Sequence, residues 1–252
     1  MRLPGIISVG VASACLLCLS ACQTTDLGMI TGKPSYDPAT FGVKALMDRI
    51  RNPDYPVRDG VAAAAELAGR NLTEEDGQAL MALLNLNRDQ RINVSLLNAI
   101  VAKKMAFLKP DLMTFQGQVR DAETAAACSA AISGFIQDDT ELFGFIKELV
   151  LKSPYANVRA RAAKVLASYE GQAADVFVEA LDRETSASTA LLMCETLRKV
   201  GSDPCYEMLD KIANDVAREF KADDYYGTKV TANNVRAAAV VAMEARKATT
   251  AQ

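Results

Sequence analysis

The chain has 252 residues, 50% of them hydrophobic, with no Trp, few aromatics, and 28 basic against 31 acidic side chains for a formal charge of −3. That mild acidity excludes a general binder of phosphate backbones, whose affinity comes from accumulated Lys and Arg, so no nucleic-acid partner is expected. The absence of His removes the commonest metal ligand and near-neutral acid–base group, and rules out Ser-His-Asp and Cys-His catalysis within the chain.

Residues 2–21 carry one charge, Arg2, and no acid. Their apolar stretch, Ile6–Leu19, is 14 residues long, whereas a membrane-spanning helix needs roughly 20. A positive end, an apolar middle and small residues before a cut is the order of an export signal. The run ends LSAC, with Ser20 and Ala21 small enough for a peptidase cleft and Cys22 immediately after. This resembles the bacterial lipoprotein signal, in which leucine and two small residues precede an invariant cysteine. The resemblance implies removal of residues 1–21 as a signal peptide, a diacylglyceryl group on the Cys22 sulfur, and acylation (palmitate or a similar chain) of the new amino end. One acyl chain anchors only marginally, at about 0.8 kcal/mol per buried methylene, so two or three chains on Cys22 would hold the protein to a leaflet. Gln23, in place of an aspartate, favours the outer membrane of a two-membrane bacterium, with the protein facing the periplasm. A plain secretory signal cut elsewhere and a retained short helix are the alternatives. Loss of Arg2 would leave 27 basic and 31 acidic side chains, a formal charge of −4.

Residues 22–38, the lipidated cysteine and the Gly-, Pro- and Thr-rich segment after it, read as a flexible tether. GMITGK at 28–33 lacks the phosphate-loop pattern because Pro34 follows Lys33. From residue 39 the chain is helical by pattern. Phe41, Ala45, Leu46 and Ile50 share one helix face that ends at NPDYP. A second helix runs from Val57 toward Gly69, and a third opens with Thr73 three residues before Asp76, a relative of the capping box. No stretch shows the alternation of a sheet.

Apolar or small residues recur at a start and at four and eight places beyond it. The triplets are Val57/Val61/Ala65, Ile92/Leu96/Ile100, Thr124/Cys128/Ile132, Val158/Ala162/Leu166, Thr189/Met193/Leu197 and Val235/Ala239/Met243, spaced by 35, 32, 34, 31 and 46 residues. A two-helix unit of that period marks an α-solenoid. Three copies share more: NPDYPVRDGVAAAAELAG, SPYANVRARAAKVLASYEG and TANNVRAAAVVAMEAR. These resemble HEAT repeats, whose second helix often follows a Pro- or Asp/Asn-containing turn and carries V-R before an Ala-rich face. The resemblance implies an all-α, right-handed α-solenoid of about five to six helical pairs over residues 39–248, followed by a disordered tail at 249–252. It makes Val57, Val158 and Val235 core residues, and gives Arg58, Arg159 and Arg236 the task of bridging adjacent repeats through acidic or carbonyl partners. Near Ile92 the arginine precedes the apolar residue, as Arg91. An irregular helical domain with Ala-rich helices is the alternative.

Cys128, Cys194 and Cys205 remain beyond the leader and Cys22. Cys128 and Cys194 read as small core residues, with a Cys194–Cys205 disulfide the alternative. Asp138, Asp139 and Glu141, like Glu74, Glu75 and Asp76, sit where helix N-termini favour carboxylates. No metal site or cofactor is expected. FKADDYYGTK at 220–229 crowds Asp223 and Asp224 with Tyr225 and Tyr226 into one loop, either packing over the end of the array or forming a partner-contact patch. Tyr55 and Tyr155 occupy corresponding bends and are candidates for the same role. The expected function is noncatalytic: an envelope lipoprotein that presents its helical surfaces to another envelope protein as a scaffold or adaptor. The alternatives are a structural lipoprotein that stabilises an envelope assembly or contacts cell wall and, distantly, a helical hydrolase.

Overall fold

The computed structural model describes residues 33–86, 89–225 and 228–250. The leader, Cys22, most of the tether and Tyr226 lie outside these residues, as do the side chains of Asp224 and Tyr225. Among the described residues the chain is all-α, and none of its helices is long and apolar enough to cross a membrane. It divides between Asp139 and Thr140 into two compact units.

The first unit contains α1 (Val43–Arg51), α2 (Val57–Leu67), α3 (Glu74–Asn85), α4 (Gln90–Ala102), α5 (Lys109–Gln116) and α6 (Ala122–Phe135). Their starts are written in the side chains. Thr73 and Asp76 form a reciprocal capping box, the Thr73 hydroxyl accepting from the Asp76 amide at 3.2 Å and the Asp76 carboxylate from the Thr73 amide at 2.8 Å. Asp89 and Asp121 accept amides of α4 and α6 at 2.9 and 2.7 Å. Helix α2 packs on α4 and α4 on α6, forming a row, while α1, α3 and α5 lie against that row as a second layer. Gly60 permits the close approach of α2 to α4, because a Cβ there would lie 2.8 Å from the Ile92 side chain. Leu46, Ile50, Leu67, Leu80, Leu96 and Ile100 fill the space between the layers.

The second unit repeats this arrangement with α7 (Asp139–Lys152), α8 (Ala156–Leu166), α9 (Ala174–Arg183), α10 (Ala187–Val200), α11 (Asp203–Asn214) and α12 (Ala232–Thr250). Its row is α8–α10–α12, backed by α9 and α11. Helix α10 ends at Gly201, whose φ of 68° is the left-handed conformation that L side chains avoid. The Phe143 ring of α7 meets Tyr169 edge-on at 5.2 Å.

The triplets read from sequence face inward in the rows, with one shift of frame. Ile92/Leu96/Ile100, Thr124/Cys128/Ile132, Val158/Ala162/Leu166 and Thr189/Met193/Leu197 are all buried, as are Val235 and Ala239. In α2, however, Val57 and Val61 are only half-buried and Ala65 is exposed, while Asp59, Ala63 and Leu67 point inward. The inward frame of this copy lies two residues later than VRDGVAAAA suggests, because four successive alanines give the period no contrast.

For the cysteines the disulfide alternative fails, and two further expectations need amending. Cys128, Cys194 and Cys205 are all buried free thiols, so Cys194 and Cys205 do not pair. Burial pushes the Cys128 and Cys194 thiols up to about 12, which keeps them protonated and inert. The stretch read as the loop 220–229 holds a small antiparallel hairpin, β1 (Asp223–Tyr225) and β2 (Thr228–Val230), with Asp223 opposite Val230. Strands of three residues are too short to show alternation in sequence. Finally, α12 continues to Thr250, into the stretch read as a tail, as its alanine content favours.

Candidate functional site

The leading segment of the first unit is clamped where α1 meets α2. Asp59, in the first turn of α2 and 0% exposed, is its centre. One carboxylate oxygen accepts the Ser35 amide at 2.9 Å, and the other accepts the Ser35 hydroxyl and lies 3.4 Å from Arg49 Nη1. The Tyr36 hydroxyl donates to the Asp59 carbonyl at 3.1 Å. Arg49 then stacks between rings: its guanidinium carbon is 3.8 Å from the centroid of Tyr36, 4.3 Å from Tyr55 and 5.2 Å from Phe41. Arg70 completes the grip, Nη2 donating to the carbonyls of Ala39 at 2.7 Å and Phe41 at 3.2 Å. The folded part therefore begins by Ser35, several residues before the expected boundary at 39.

The electrostatics follow from burial. Desolvation raises the Asp59 carboxyl, but the Ser35 hydrogen bonds, with Arg49 and Arg58, more than offset it and hold Asp59 below the usual carboxylate value. Burial raises the Tyr36 hydroxyl, outweighing the opposing pull of Arg49, so Tyr36 stays a donor. The arrangement binds and orients; a carboxylate held as an anion beside a guanidinium is a poor proton carrier.

A second buried carboxylate organises the bends of the second unit. Glu184 takes a bidentate fork from Arg159, at 2.8 Å from Nε and 2.7 Å from Nη2, while Arg159 Nη1 donates to the Ser153 carbonyl at 2.9 Å. The same carboxylate accepts the amides of Thr185 and Ser186, both at 2.8 Å. Ser186 caps α10 through the Thr189 amide and donates to Asp223, which also accepts the Ser188 amide at 2.8 Å. Arg218 reaches the carbonyls of Leu181 and Glu184, and Arg236 donates to those of Arg218 at 2.6 Å and Val216 at 2.9 Å. Backbone bonds between Lys221 and the Thr185–Ala187 stretch complete the tie.

The residues singled out in the sequence thus have distinct positions. Arg159 and Arg236 bridge elements through a carboxylate and through carbonyls, whereas Arg58 is 41% exposed and lies 3.8 Å from Asp59, with Arg49 making the closer contact. Val158 and Val235 are buried and Val57 is not. Tyr55 covers Arg49 and is 41% exposed, and Tyr155 is half-buried at the start of α8. Asp223 spends its carboxylate on α10. Arg49, Asp59, Arg70 and Glu184 were not marked by sequence pattern; Asp59 could have been, since RDG places an acid at the first turn of a helix after proline. Among the described residues no group of three or more Cys, Asp or Glu is placed to hold a metal ion. Comparison of the chain with protein-family models, curated proteins and solved structures finds no match.

Because Asp59 is depressed in the fold, its contribution is complete above the unfolded value of about 3.9 and is lost as pH falls through the lower folded value. Asp59→Asn should lower stability by about 3 kcal/mol at pH 7 and lose the acid-dependent fall of the urea midpoint that the wild type shows as pH drops below the unfolded carboxyl value. An unchanged pH profile would remove the clamp from the account. In the second unit, Arg159→Ala strands a buried Glu184 and should cost about 3–5 kcal/mol in urea unfolding. Arg58→Ala, its counterpart by sequence, should fall within about 0.5 kcal/mol.

Proposed function

We propose that this protein is a noncatalytic, membrane-tethered interaction scaffold of a bacterial envelope. On this reading residues 1–21 are removed, Cys22 carries the lipid in the outer membrane, and the helical part faces the periplasm as HEAT-like repeats in a right-handed α-solenoid. Its partner is another envelope protein. The observation that carries the reading is the pair of rows, α2–α4–α6 and α8–α10–α12, each backed by the intervening helices. Rows of that kind offer long, shallow surfaces suited to protein contacts.

The clamp at Ser35–Phe41 supports the same reading. A tether that ends at Pro34 would deliver any load from the membrane to Asp59, Arg49 and Arg70 instead of to the first helix ends. The reading is tested by crosslinked pull-down from native membranes, joined to intact-mass measurement of the mature amino terminus. The expected result is loss of residues 1–21, lipid mass on Cys22 and enrichment of one envelope protein. Cys22→Ser should abolish lipid labelling and membrane retention, and unchanged labelling would sink the anchor. A protein that enriches no partner under any crosslinking condition would sink the scaffold.

A further inference from the structure

The outer edge of α12 is built like an interior position. Counting five residues from each inward start reaches a position about 140° around the helix. In α4, α6, α8 and α10 that residue is Leu97, Ser129, Ala163 or Cys194, none more than 3% exposed. In α12 it is Val240, and it is 40% exposed, with Val241 beside it at 51%. On the opposite side of α12, Ala242 is fully buried, so the helix is bare on one flank only. A flank that only faced water would carry mostly polar residues. Here the exposed residues include Ala237, Val240, Val241 and Ala245, and Val216, 78% exposed, sits in the turn that Arg236 grips one helical turn before Val240.

The charges along this edge indicate what covers it. Arg236 lies four residues before Val240 and Glu244 four residues after it. Arg236 directs its hydrogen bonds to neutral oxygens, the carbonyls of Asp215, Val216 and Arg218 and the amide oxygen of Asn233. Two α12 helices laid antiparallel about Val240 bring Glu244 of each copy over Arg236 of the other, one turn either side of a Val240–Val240 contact. A parallel alignment in the same register would instead oppose Glu244 to Glu244. We propose that α12 is a self-complementary docking edge and that its occupant is a second copy of this chain, paired antiparallel about a two-fold axis at Val240. The dimer goes beyond the tethered scaffold role and does not depend on it.

The test uses the full-length protein in mild detergent. It should sediment at about twice the mass of one chain. Val240→Cys should form a disulfide-linked dimer under mild oxidation, because the axis places the two thiols together and the native thiols of Cys128, Cys194 and Cys205 are buried. Met113→Cys, at least as exposed but in the first unit, should not exceed the wild-type background. Val240→Glu and Glu244→Arg should each give a single-chain mass with an unchanged melting temperature, since both positions are exposed. A wild-type protein that stays monomeric across the micromolar range overturns the proposal. So does Val240→Cys crosslinking no better than Met113→Cys. If the wild type is monomeric while Val240→Glu loses a protein captured from native membranes, the edge belongs to that protein and self-pairing is wrong.

Discussion

A carboxylate taken out of water is tolerated only where cations and N–H groups surround it, and each unit of this protein is assembled around one such group. Asp59 holds the leading segment against α1 and α2; Glu184 holds the turn before α10 against Arg159 and, through its neighbours, against Asp223 and Arg218. Both sit in bends, where a stack of amphipathic helices has least apolar surface to bury. The rows supply the hydrophobic part of stability, and these ionic centres fix where one helix ends and the next begins. Each demands several partners at once. Removing any one of them leaves a buried charge and not simply a missing contact.

The rows themselves were legible because inward residues at four-place intervals leave a period that composition does not blur. The capping box at Thr73 was legible for a similar reason, since both partners lie within one turn. Legibility failed in α2, where GVAAAA offers the helix several equivalent frames and only Gly60, fitted against Ile92, selects one. It failed again for the ionic centres. Arg159 was marked by its place after Val158, but its partner Glu184 is 25 residues away in a turn that carries no periodic signal. Arg49 lies outside the apolar set Phe41, Ala45, Leu46 and Ile50, and nothing local announces that Tyr36, Phe41 and Tyr55 converge on it.

The same contrast separates the two candidate contact regions. Asp223 resembled a free recognition residue in sequence, yet it is committed to the amino end of α10. Val240, by contrast, stands at the helix position that is buried in α4, α8 and α10, yet it is 40% exposed in α12. A residue's fitness for partner contact therefore depends less on its chemistry than on whether the fold has already used it.

Native-state hydrogen exchange, resolved to single amides, tests the central claim most directly. Ser35, Ser186 and Ser188 donate their amides to the buried or half-buried carboxylates of Asp59, Glu184 and Asp223. If the ionic centres organise the bends, these loop amides should be protected to the level of the helices in their own unit. Exchange at the rate of open loops, with the helices still protected, would contradict the account.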